Sequence, residues 1–298
     1  MRSAETLGVS LRIKIKNLID ECGSIDLRDI EQSDGLKSLI LSKDPILKIN
    51  LISDSAFEIS APSLIICQSI LRDYYCGDKR LKKQLASTET LIRQKSHAWA
   101  LVSAYYFSFF SIIDALRICG THLMSLSEKE ARQLFIPIGG QHVAGLIKKR
   151  NFKGTVSSDF TKIGYVTNGD KPHQFAWKAM EENVFRILSQ KSLAWPEIPR
   201  MKSICQGKIG WESPSEIRNR WNYRDSSYFS EFGENNSDIF FELMNSSERA
   251  SRWIQTKSRI NSERESAALV AVIYQLMKGA MNDLYIHGFL NSINIDKS

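Results

Sequence analysis

At 298 residues, with 43% hydrophobic and 24% charged side chains, the chain has room for one large domain or two smaller ones, and its composition excludes disordered and collagen-like classes. Forty Lys and Arg against 33 Asp and Glu leave a net charge of +7, a bias compatible with polyanionic partners but modest for this length. The cysteines at 22, 67, 76, 119 and 205 form no C-x-x-C pair that could hold zinc, and their odd number and wide spacing fit a reducing compartment.

From the N-terminus, Met1 to Glu5 carries an acid early and lacks the unbroken apolar stretch of a secretory signal, so a cytoplasmic chain is expected. Residues 1–85 read as a mixed α/β region. Leu11 to Ile19 alternates apolar and basic residues before its period shifts, which leaves a short strand and a helix start both open. Residues 46–60 look strand-like around a Ser53-Asp54-Ser55 turn, and Ser63 to Tyr75 turns helical.

Thr88 to Cys119 has the pattern of one long helix, with Gly120 placed for a left-handed C-terminal cap. Within it, Ala98 to Leu116 is long and apolar enough to warrant a membrane test. Asp114 with Ser103, Ser108 and Ser111 would be costly in hydrocarbon, and the aromatics run through the middle rather than at two interfaces. A buried core helix is the expectation, with no membrane partner.

A second helix is expected after Ser125 or Ser127, since both Ser125-x-x-Glu128 and Ser127-x-x-Glu130 match a reciprocal capping box, and it should end before Pro137. Residues 137–175 hold most of the irregular signals and read as an insertion, with Phe160 to Val166 as a hairpin strand. A helix over 175–190 follows, then a break at Pro196 and Pro199. Ser213-Pro214-Ser215-Glu216 signals a helix start through Ser-x-x-Glu capping and a proline in the first helical position, carrying the helix to about Arg224. Residues 239–254 and 262–290 complete the helices. In the last, Leu269, Val272, Ile273, Leu276, Ala280 and Leu284 recur at helical spacing as a buried stripe.

The segment Trp99-Ala-Leu-Val-Ser-Ala-Tyr-Tyr-Phe-Ser-Phe-Phe-Ser-Ile-Ile-Asp-Ala-Leu-Arg117 resembles the early helix of HEPN domains, with small residues and a Tyr-Tyr pair before an aromatic and an Ala-Leu end. Ile217-Arg218-Asn219-Arg220-Trp221-Asn222-Tyr223 resembles the same superfamily's motif of arginine, a polar residue, three variable residues and histidine, with tyrosine in the last place. The resemblance implies a mainly α, HEPN-like helical bundle over 86–298, interrupted at about 137–175, with the mixed region 1–85 lacking a counterpart. It also implies metal-independent RNA chemistry, with the arginine on the scissile phosphate and two copies facing across a dimer, and no cofactor. On that basis Arg218, Asn219 and Tyr223 are the candidate catalytic residues.

The tyrosine matters chemically. A histidine with a pKa of about 6.5 both takes and gives a proton near neutrality, whereas a tyrosine at about 10 is a poor base. In a regular α-helix Arg218 and Tyr223 also lie roughly 140° apart, so they converge only through a long arginine or a distorted turn, while Asn219 and Tyr223 share a face.

Arg218, Arg220 and Arg224, interleaved with Trp221 and Tyr223, form a candidate nucleic-acid surface in which arginines grip phosphates and rings stack on bases, Arg220, Trp221 and Arg224 being its binding candidates; a solvated helix face over two buried aromatics is the plainer reading. Arg117-x4-His122 has a true histidine but falls at a helix end, where an arginine simply complements the dipole. Gly139-Gly140-Gln141-His142 reads as a catalytic or phosphate loop or, more plainly, a bare Gly-Gly turn, and Lys148-Lys149-Arg150 as a phosphate contact or, more plainly, ordinary surface. No residues stand at metal-ligand spacing.

Three functions follow as expectations. The first is a HEPN-like RNA-binding or regulatory protein of a bacterial toxin-antitoxin or phage-defence system, with a degenerate motif and a homodimer or partner subunit. The second is an active metal-independent ribonuclease using Arg218 and Asn219, with Tyr223 or His122 as proton donor. The third is a helical scaffold subunit without nucleic-acid contact.

Overall fold

A computed structural model of the chain describes residues 1–23, 27–167, 172–185, 197–207, 210–224 and 235–287. Helix makes up 71% of it, beside one antiparallel five-stranded sheet, so the fold is mainly α. In chain order come α1 (Arg2–Cys22), α2 (Leu27–Gln32), α3 (Leu36–Ser42), β1 (Lys48–Ser53), β2 (Ala56–Ser60), α4 (Ser63–Arg93) and α5 (His97–Ile118). Then follow β3 (Thr121–Ser125), α6 (Glu128–Phe135), α7 (Val143–Lys148), β4 (Asn151–Val156) and β5 (Lys162–Val166). The remaining helices are α8 (Pro172–Met180), α9 (Glu197–Gln206), α10 (Pro214–Asn219), α11 (Asp238–Met244), α12 (Ser247–Thr256) and α13 (Glu263–His287).

The described residues fall into two compact units. One comprises Met1–Arg12, Asp78–Ile112 and Ala176–His287, the other Ile13–Gly77 and Ile113–Phe175. Residues 1–85 and 86–298, read above as separate regions, are therefore each shared between the units, and α1, α4 and α5 contribute to both.

The first unit is built around α13, with α11 and α12 packed along it. The apolar stripe is as expected, yet Ala267, Val270, Ala271, Tyr274, Met277 and Met281 are buried too, so α13 is enclosed on nearly all sides as a central helix. Thr88 and Ser103 share a buried hydroxyl contact of 2.8 Å that ties α4 to α5. The single long helix expected over 88–119 is in fact two. Lys95 takes a left-handed φ of 52°, and the amides of Lys95 and Ser96 bond to the carbonyls of Ile92 and Leu91 at 3.0 and 2.9 Å. This is the double bond of a Schellman cap, closed at a lysine, and the Ser96 carbonyl then starts α5. Likewise the helix expected over 239–254 breaks at Asn245, where the Ser246 hydroxyl caps α12.

One helix among the described residues, His97–Ile118, is long and apolar enough to cross a membrane, and 72% of its apolar window is buried within the protein. Its burial matches a core helix.

The second unit is organised on the sheet, in the order β1-β2-β5-β4-β3. The hairpin expected as an insertion supplies β4 and β5, which pair outward with β3 and with the β1–β2 hairpin, so strands from residues 48–60 and 121–125 complete it. Phe57 lies at the centre of the core, with Phe135, Phe152 and Tyr165 at ring distances of 5.1, 5.2 and 4.8 Å. Strand β3 was not foreseen; the capping box at Ser127 with Glu130 is formed, and Gly120 ends α5 at φ 76° as expected.

Candidate functional site

The motif segment starts where Pro214 stands in the first turn of α10, a position that loses no amide bond. Ser213 is extended but does not cap through its side chain; its hydroxyl lies 3.1 Å from that of Ser215, so the expected Ser213–Glu216 capping box is not made. After Asn219 the helix widens into a π turn over Arg220–Arg224. Its i→i+5 bonds take more residues per turn than an α-helix, which narrows the backbone angle between positions 218 and 223.

Arg218 is 7% exposed, and its guanidinium lies 5.4 Å from the ring centre of Tyr105 and 5.3 Å from that of Tyr106, both on α5. These are cation–π distances. The Trp177 indole donates to the Tyr105 hydroxyl at 3.4 Å. Burial pushes the Tyr105 phenol up to about 12, with Trp177 and Arg218 pulling the other way. The two segments that carry the family resemblance thus meet inside one unit.

Arg220 and Trp221, expected as nucleic-acid contacts, are placed by the structure among protein groups. Arg220 forks onto Glu212 with two bonds of 2.6 Å, and its Nε lies 2.9 Å from Glu263. Glu212 also accepts from Ser266 at 2.5 Å, so the arginine joins α10 to the start of α13. Burial would raise the Glu212 carboxyl, but Arg220 and Ser266 hold it below its ordinary value. Trp221 is fully buried and presents no face to a base. Asn219 is half-buried. The side chains of Tyr223 and Arg224 lie outside the described residues.

In the second unit a buried polar cluster forms that the sequence reading missed in part. Arg117, in the last turn of α5, donates to Asp114 Oδ1 at 2.7 Å and to the Asp73 carbonyl at 3.3 Å. His122 is on β3, not on a helix; its Nε2 is 3.5 Å from Asp73 Oδ2 and its Nδ1 is 2.8 Å from the Tyr165 hydroxyl. The Asp73 carboxylate also accepts from the Leu36 amide at the start of α3, at 3.3 Å. Burial lowers the affinity of His122 for a proton, against the pull of Asp73. Burial alone would raise Asp73, but His122 and Arg117 bring it below its ordinary value, while burial raises Tyr165. Arg117 and His122 were legible as an Arg-x4-His spacing and Asp114 as an acid in an apolar helix; Asp73 and Tyr165 belong to no motif. At 4% and 0% exposure, His122 and Tyr165 are sealed from solvent, which suits a structural tie between sheet and helices better than catalysis.

His122 and Arg218 belong to different units, and among the described residues no three His, Cys, Asp or Glu side chains are grouped to hold a metal. Compared with models of protein families, with curated proteins and with solved structures, the chain gives no match.

Proposed function

We propose that this chain is a HEPN-like RNA-binding or regulatory protein, of the kind found in bacterial toxin-antitoxin and phage-defence systems, whose nuclease motif has become part of the protein core. The observation that carries the reading is the seating of Arg218 on Tyr105 and Tyr106. Tyr106 and Arg218 are 112 positions apart in the chain, yet they are the defining residues of the two resembling segments and lie in contact. Three features speak for a degenerate motif: Arg218 is buried, Arg220 is neutralised by two carboxylates, and a tyrosine stands where cleavage needs a base. Binding of RNA and pairing with a second copy or a partner subunit belong to this reading.

The π turn favours a second reading, an active metal-independent ribonuclease, because it brings position 223 toward the face of position 218. In that case Arg218 leaves its aromatic seat to bind the phosphate, and Tyr223 gives a proton to the leaving oxygen. Purified full-length chain incubated with diverse RNAs in excess chelator separates the two. The proposal expects bound, intact RNA; chelator-resistant cleavage that is lost in Arg218→Ala but retained in Lys202→Ala overturns it in favour of the enzyme.

A further inference from the structure

Two features of the sequence that the motif does not use, the Gly139-Gly140-Gln141 loop and the Lys148-Lys149-Arg150 run, come together in the second unit. Gly140 and Gln141 of the loop and Lys148 and Arg150 of the run line a cleft of about 650 Å³ between α6 and α7. That volume falls within the range of small-ligand sites, roughly 300–1,000 Å³. Lys148 and Arg150 line it, as do Arg132 and Glu128 of α6. Arg132 is balanced by Glu128 at 2.9 Å, whereas Lys148 and Arg150 have no carboxylate within salt-bridge distance among the described residues. The cleft therefore carries two uncompensated positive charges. Val143, Ala144 and Ile147 of α7 give the cleft an apolar lining, and Gln141 adds an amide that both donates and accepts.

The wall is held in place. The Asp54 carboxylate in the β1–β2 turn lies 2.8 Å from His142 Nδ1, and the same turn presses on α7 so closely that a Cβ at Gly145 would sit 2.5 Å from that of Asp54. Gly139 and Gly140 enter the loop at φ 73° and 103°, which side chains rarely adopt.

We propose that this cleft binds a nucleoside phosphate, with Lys148 and Arg150 on the phosphate, Gln141 on a polar edge, and Val143, Ala144 and Ile147 against the sugar and base. Guanidinium and ammonium groups recognise phosphate oxygens through charge-assisted hydrogen bonds, and an aliphatic wall takes the flat ring. The site does not rest on Arg218 or on the ribonuclease question.

Calorimetric titration of the full chain with adenosine monophosphate, inorganic phosphate and adenosine tests it. Adenosine monophosphate should bind about tenfold or more tightly than either part alone, and Lys148→Glu with Arg150→Glu should weaken it by about tenfold or more. Lys79→Glu with Lys83→Glu, which alters charge on α4 to the same extent, should leave binding unchanged. Equal affinity for inorganic phosphate, equal loss in the α4 variant, retention in the Lys148/Arg150 variant, or binding of single-stranded RNA without any binding of the mononucleotide overturns the proposal.

Discussion

Arg220 answers to two carboxylates at once, and its removal leaves Glu212 and Glu263 facing each other across a half-buried space. Arg220→Ala should cost about 1.5–3 kcal/mol of stability, the scale of hydrogen bonds to charged groups, read as a lower midpoint in urea. An unchanged midpoint would mean that the pair is loose in solution. His122 gives a different signature. Its folded proton affinity is reduced from the ordinary 6.5, so below that pH the unfolded chain takes up a proton that the folded chain refuses. Stability should therefore fall as pH drops from about 6.5, and Asp73, lowered from 3.8, adds a further loss as pH falls through that value. Comparing urea midpoints at pH 7 and about 5 should show this acid loss in the native chain and a flatter profile in His122→Leu.

At the scale of elements, Gly77 on α4 lies against the carboxylate of Asp114, and a Cβ there would come within 2.3 and 2.4 Å of its two oxygens. Alanine ordinarily favours a helix over glycine by about 1 kcal/mol, but here overpacking of a buried acid should dominate and lower stability by about 1–3 kcal/mol. Thermal unfolding of Gly77→Ala gives the sign. Most of the helices were legible because their signals are local: the Ser127 capping box, Gly120 and the apolar period of α13 each act within a few residues. The break at 94–96 was hidden because its left-handed residue is Lys95 rather than glycine. The sheet was hidden for another reason. Residues 46–60 and 160–166 read as short isolated strands, 121–125 and 151–156 gave no strand signal of their own, and only pairing across long stretches of chain makes one sheet.

Over the whole molecule, the two readings of the motif segment differ in where its charge is used. The sequence offered Arg218, Arg220 and Trp221 as groups facing a nucleic acid, since arginine next to aromatic residues fits that surface as well as a core. It gave no means of knowing that Glu212 and Glu263 close on Arg220 or that Trp221 is enclosed. The pairing of Arg218 with the Tyr105–Tyr106 helix was legible only through the family resemblance, because no local pattern links residues so far apart. The most direct measurement is a double-mutant cycle on stability, combining Arg218→Met with Tyr105→Leu and Tyr106→Leu. The account predicts a favourable coupling of about 0.5–2 kcal/mol between the guanidinium and the rings, and additive effects within about 0.5 kcal/mol would contradict it.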